Sequence, residues 1–187
     1  VGAGFLSVRH FYFQPREVKA QAAMYKGEIY FAKDSFELAL KGNGADFVGF
    51  EAIADDYSST KAGNLAAAYA GICYYNLGKD AEALAYLKKF DGDDAFLSPN
   101  IEAMIGNCYA NMDQYDDAIK AFEKAAKKAD NEMASPIFLQ KAATVAEKMG
   151  NYKKALDFYQ KIKDEYSQSM IGRDIDKYIE RAKAHVK

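Results

Sequence analysis

Few residues in this 187-residue chain have chemistry that reaches beyond packing: two cysteines, two histidines and one acidic loop. Cys73 and Cys108 could in principle bridge, hold a metal or cycle between redox states. They stand at the same place in neighbouring copies of a repeated pattern, 35 residues apart. Equivalent points on stacked helices lie about 10 Å apart, whereas a disulfide needs Cα atoms within about 7 Å, so both are expected to remain unbridged, buried thiols. A metal site would need further ligands, and His10 and His185 lie at opposite ends of the chain. Asp91-Gly92-Asp93-Asp94 offers carboxylates but is short for a calcium loop and lacks its distant Glu, so it reads as a solvated turn. Gly2-Ala3-Gly4 has no nucleotide-fingerprint context, and no Ser, His and acid come together as a nucleophile's surroundings would require. No catalytic residue, metal or cofactor is expected, and the chain is not read as an enzyme.

Small and aromatic residues instead recur at helical spacings. Gly106 and Tyr109 lie on one face of a helix; past the polar turn Met112-Asp113-Gln114, Ala118, Phe122 and Ala125 lie on one face of the next. A small residue facing a large one lets the two helices close up. The frame repeats as Gly71, Tyr74, Ala83 and Leu87 before it, and as Ala143, Ala155 and Tyr159 after it. Gly27, Tyr30, Phe36 and Ala39 preserve the same step of twelve between the small residues of the two helices, giving four copies. Gly78 and Gly150 mark turns inside their units, while Ser98-Pro99 and Ser135-Pro136 read as capping hydroxyls before a helix-opening proline.

A period in the mid-thirties with two helices per unit resembles the tetratricopeptide repeat family. Ile105, Gly106, Tyr109, Ala118 and Phe122 match its pattern well, and Ala70, Gly71, Tyr74, Ala83 and Leu87 match it fairly. The chain has no Trp. The resemblance implies an all-α, right-handed α-solenoid of antiparallel helix pairs over residues 16–167, about four in number. An insertion near 41–57 interrupts the first pair, where Lys41-Gly42-Asn43-Gly44-Ala45 forms a turn. Residues 168–187 are expected to form one capping helix with Ile171, Ile175, Tyr178, Ile179, Ala182 and Val186 on its apolar face.

The same resemblance implies a non-enzymatic scaffold that holds a peptide or partner helix in a concave groove. The stripe one residue beyond the packing positions turns about 100° away from them. Carried over by register, the groove takes Met24, Glu28 and Phe31 from the first unit and Ala68, Ile72, Tyr75 and Asn76 from the second. Ala103, Asn107 and Asn111 follow from the third, and Gln140, Thr144 and Glu147 from the fourth. Ala103 stands where the family's clamp for a C-terminal carboxylate carries a cation, which argues against that chaperone-tail role. Covering of part of this stripe by the first or the terminal helix is the alternative.

A net charge of −2 with interspersed signs gives no general attraction to nucleic acid. The stretch 1–15 begins apolar and passes into Arg9, His10, Phe11, Tyr12 and Phe13, as a transmembrane helix does on leaving a bilayer. It is read as the end of a membrane anchor or as an apolar helix start, the former preferred. After it, Val18, Ala22, Tyr25, Ile29 and Ala32 step by three and four along one long helix. An anchor-like stub before a compact array resembles bacterial membrane-anchored tetratricopeptide proteins that accompany the secretion translocon. That resemblance implies an inner-membrane protein with a periplasmic repeat domain. The alternatives are a soluble cytosolic adaptor and a structural component that self-associates as a homo-oligomer through its N-terminal helix.

Overall fold

The computed structural model describes residues 12–186, which contain helices and no strand. The described chain divides into two compact units that part after Asp91. The first holds α1 (Gln14–Ala32), α2 (Phe36–Lys41), α3 (Phe50–Asp56), α4 (Lys61–Asn76) and α5 (Asp80–Leu87). The second holds α6 (Leu97–Asn111), α7 (Tyr115–Ala129), α8 (Ser135–Lys148), α9 (Tyr152–Glu165), α10 (Met170–Arg173) and α11 (Asp176–His185). Within the second unit each of the four long helices packs on the next, and α11 packs on α9. In the first, α4 is central, touching α1, α2, α3 and α5.

The small-against-large rule holds at atomic distance. A Cβ built on Gly71 would lie 2.6 Å from Leu87 Cγ, and one on Gly106 would lie 2.8 Å from the Phe122 ring. Each glycine therefore sets the closest approach of its helix pair. At Gly27 the facing residue comes from elsewhere: α2 ends at Lys41, too early to supply it, and Phe47 and Phe50 from the inserted segment fill the place, each within 2.6 Å of an added Cβ. The insertion thus completes the first pair's packing. Asn43 closes its loop, with Oδ1 accepting from the N–H groups of Ala45, Asp46 and Phe47 at 3.1 Å each.

Each helix pair turns through one left-handed residue: Asp34, Gly78, Asp113 and Gly150, with φ of 54°, 71°, 58° and 74°. Around each runs the same hydrogen-bond pair, Lys79 N–H to Tyr74 C=O and Gln114 N–H to Tyr109 C=O being two of the four equivalent bonds. This is a helix C-terminal motif that satisfies carbonyls the helix leaves open. Aspartate tolerates the conformation better than most residues.

Three sequence expectations are corrected. Ser98 and Ser135 do not cap their helices; Asp94 caps α6, its carboxylate accepting from Phe96 N–H at 3.0 Å and from Leu97 N–H. Asn131 does the same before α8, accepting from Met133 and Ala134 N–H at 3.0 and 2.8 Å. The terminal segment is two helices, because the chain turns at Asp174 to bring Ile175, Ile179 and Ala182 into the core. Its residues Ile171 and Val186 stay half-buried and exposed. The one long helix expected here is α1; it packs through Ala20, Met24 and Gly27, and the periodic set Val18, Ala22, Tyr25, Ile29 and Ala32 is exposed. No helix among the described residues is long and apolar enough to cross a membrane. The anchor expected up to Pro15 falls mostly on residues 1–11, outside those described.

Candidate functional site: helix-surface clefts within each unit

In the first unit, α1 is tied to α4 by polar groups at one end and rings at the other. The Glu17 carboxylate accepts from Lys61 N–H at 2.7 Å and Ala62 N–H at 3.2 Å, while Thr60 Oγ accepts from Gly63 N–H at 2.9 Å. The start of α4 is therefore capped from two directions. Further along, Phe31 meets Tyr69 edge to face at 4.9 Å, and Tyr69 stacks on Phe50 at 4.7 Å. Between them a cleft of about 240 Å³ is lined by Gln21, Met24, Glu28 and Leu65. Met24 and Ala68 are buried, so neither offers contact surface; Glu28, Phe31, Ile72 and Tyr75 are half-buried, and Asn76 is exposed. The Asn76 amide donates to Ile72 C=O at 2.9 Å.

On another side of α4, Tyr74 O–H donates to Glu51 at 2.9 Å, and Lys41 reaches both the Tyr74 oxygen and Glu51. Burial alone would raise the Glu51 carboxyl, but Lys41 and Tyr74 hold it below the ordinary carboxylate range. This cluster fastens the inserted α3 to α4 and to the end of α2. It is structural in its geometry, since every member faces another member.

The second unit brings more of the expected residues together. A cleft of about 430 Å³ is lined by Asn107, Gln140, Lys141, Thr144, Ile137 and Tyr178, among others. Asn107 and Gln140 are half-buried and Thr144 is exposed, with its hydroxyl returned to Gln140 C=O. Asn111, at the end of α6, is exposed, and Ala103 is buried in the core. Glu147 lies off the open cleft: its carboxylate pairs with Arg181 of α11 at 2.7 Å, so the terminal helix covers this end of the stripe. Tyr178, from the same helix, forms a wall of the cleft.

Lys141 is the residue the sequence reading missed. Its ammonium donates to the Asn107 amide oxygen at 3.0 Å and lies 5.6 Å from the centre of the Phe122 ring. It makes no ion pair among the described residues, and burial pushes it below the ordinary lysine range. A half-buried cation without a carboxylate, bordered by amides and a hydroxyl, is arranged to receive an anionic group. The position adjoins Gln140, so register alone placed it off the stripe. The long side chain reaches back under Asn107.

The remaining chemistry-bearing residues are elsewhere. Cys73 and Cys108 are buried and are not bridged to each other. Asp94 serves as a helix cap, and its carboxyl is held below the usual range first by the Leu97 N–H.

Family models described as the tetratricopeptide repeat match residues 69–91, 103–132 and 139–169. These stretches coincide with α4/α5, α6/α7 and α8/α9, so three of the helix pairs are similar to tetratricopeptide repeats. No curated protein matches the chain.

Proposed function

We propose that this protein is a non-enzymatic interaction scaffold that binds a segment of a partner protein on its repeat surface, and that the Asn107/Lys141 cleft takes an acidic side chain or a free carboxylate of that segment. The observation that carries this reading is the uncompensated Lys141 ammonium. An anionic partner would restore the charge balance that burial disturbs, while Ile137 and Tyr178 offer apolar contact beside it. Gln140 and Thr144 supply polar contact for a peptide backbone. In the first unit, Glu28, Phe31, Ile72, Tyr75 and Asn76 would make the corresponding surface, more apolar and without a cation.

The test is selection of peptides from a random library on the intact protein, followed by calorimetric affinities. Selected peptides are expected to carry Asp, Glu or a free C-terminus. Lys141→Met should weaken them by roughly 10- to 100-fold, the effect of losing a hydrogen bond to a charged group. Asn107→Asp should weaken them too, by giving Lys141 a carboxylate of its own. Peptides without acids that bind all three proteins equally would overturn the reading.

The membrane tether, with an inner-membrane and periplasmic setting, belongs to the same proposal. Its support is the apolar start of the sequence and the exposure of Tyr12 and Phe13, at 54% and 41%, where α1 begins. In fractionated bacteria the full-length protein should sediment with membranes, and the chain shortened to begin at Pro15 should stay in solution. Detergent-free recovery of the full-length protein in the soluble fraction would remove the tether and leave the cytosolic adaptor.

A further inference from the structure

We infer that the exposed face of α1 is a self-association surface on which two copies of this chain pair as a short parallel coiled coil. This inference is independent of what the repeat clefts hold. Val18, Ala22, Tyr25, Ile29 and Ala32 succeed one another at steps of four, three, four and three. That spacing averages 3.5 residues, the period that keeps an apolar seam facing a partner helix, and it departs from the 3.6 of an isolated helix. All five residues are exposed: Tyr25 at 66%, Val18 at 64% and Ile29 at 38%, with both alanines open. The opposite face is already used, since Ala20, Met24 and Gly27 are buried in the chain's own first unit. Among the described residues, nothing covers the apolar seam.

Self-pairing, in one orientation, is favoured by the charges beside the seam. In heptad positions, Ala22 and Ile29 occupy a, and Val18, Tyr25 and Ala32 occupy d. The e positions are then Lys19, Lys26 and Lys33, and the g positions are Gln21 and Glu28. An antiparallel pair would set e against e, lysine opposite lysine along the whole contact. A parallel pair sets each g against the following e of the other helix, joining Glu28 to Lys33 of the second copy and Gln21 to Lys26 of the second copy. Lys26 is engaged on its own chain by Asp46, whereas Lys19 and Lys33 make no ion pair among the described residues. The patch is self-complementary, as a two-fold interface requires.

Two heptads bury less than the roughly 1,200 Å² of a stable interface, so the association should be weak, with a dissociation constant on the order of 10–100 µM. Sedimentation velocity of the intact chain from about 5 to 500 µM is the experiment. The weight-average mass is expected to rise from the 20.8 kDa of one chain toward twice that value. Tyr25→Lys and Ile29→Lys, both at exposed positions, should each weaken association at least 10-fold with unchanged helicity. Orientation is read by mild oxidation of the A22C variant. Parallel pairing in register forms a crosslinked dimer, with little background because the native cysteines are buried. A constant single-chain mass, or self-association that both lysine variants retain, would overturn the surface. Failure of A22C to crosslink, with efficient crosslinking of A22C to I29C in a mixture, would overturn the parallel pairing. Flotation of a chain that stays monomeric with phosphatidylcholine/phosphatidylglycerol vesicles, lost in Ile29→Lys, would reassign the face to lipid.

Discussion

Replacing Gly63 with Ala is expected to destabilise the first unit by about 3 kcal/mol or more, at the high end for a single added methyl. The reason is a backbone approach with no flexible neighbour to yield. The added Cβ would overlap the carbonyl oxygen of Tyr57. That oxygen already accepts from Thr60 N–H at 2.9 Å and Thr60 Oγ–H at 2.7 Å, and the hydroxyl in turn accepts from Gly63 N–H. Making room for the methyl would break this capping turn and push the end of α3 from the start of α4. The same arrangement recurs 109 residues later. Tyr166 C=O accepts from Ser169 Oγ–H at 2.7 Å, Ser169 Oγ accepts from Gly172 N–H at 2.9 Å, and a Cβ on Gly172 would overlap Tyr166 C=O. Gly172→Ala should therefore damage the α9/α10 junction similarly. Gly78→Ala is the comparison: its φ of 71° is strained for a side chain, but nothing lies within 4 Å, so its cost should be about 1 kcal/mol. Urea unfolding of the three variants decides the matter, and a Gly63→Ala no worse than Gly78→Ala would contradict this description of the turn.

Raising the pH above about 9 is expected to remove stability from both units, by about 1.4 kcal/mol per pH unit for each group involved. Cys73 and Tyr159 are wholly buried, and burial pushes the Cys73 thiol from 9.0 up to about 12 and the Tyr159 phenol from 10.0 up to about 12. Both native values lie above the unfolded ones, so the fold favours the protonated, neutral forms. Their contribution is whole below the unfolded values. It is lost as pH rises through the native ones, from about 9 to 12 in the first unit and 10 to 12 in the second. Tyr86, also buried, shifts in the same direction and steepens the loss in the first unit. Among the described residues, the Tyr159 hydroxyl has no partner at hydrogen-bonding geometry. Tyr159→Phe should accordingly cost little at neutral pH and flatten the alkaline loss of the second unit. Stability that does not change from pH 9 to 12 would contradict the burial assigned to these groups.

The parts of the fold legible in the sequence are those fixed by one residue type at one spacing. Gly71 against Leu87 and Gly106 against Phe122 follow from a small residue and a large one sixteen apart, and the structure places them in direct opposition. Gly78 and Gly150 were readable as turns for the same reason. Asp34 and Asp113, which adopt the same left-handed conformation, were not, because aspartate is equally at home in caps and solvated loops. The helix starts were misread because Asp94 and Asn131 cap from several residues upstream, leaving the Ser-Pro pairs one turn too late. The Tyr57-Thr60-Gly63 and Tyr166-Ser169-Gly172 turns carried a signal, a Tyr, a hydroxyl and a Gly at steps of three. It lies between helices, where a search by helical period does not look.

The candidate site was legible as a stripe but not as a surface. Register placed Asn107, Gln140 and Thr144 together, and they do line one cleft. It could not show that Met24, Ala68 and Ala103 are sealed by packing, or that Arg181 closes over Glu147. Nor could it show the reach of Lys141, since a four-carbon stem lets the charge act a full position away from its Cα.

Where a bound peptide sits is the most direct test of the scaffold reading. Titration of an acidic selected peptide into the isotopically labelled intact protein, followed by amide and side-chain NMR shifts, reads this residue by residue. The largest changes are expected at Asn107, Gln140, Lys141 and Thr144, with loss of those changes in Lys141→Met. Shifts confined to other exposed apolar ground, such as that around Met133 and Met170, with the Lys141 ammonium unperturbed, would contradict it.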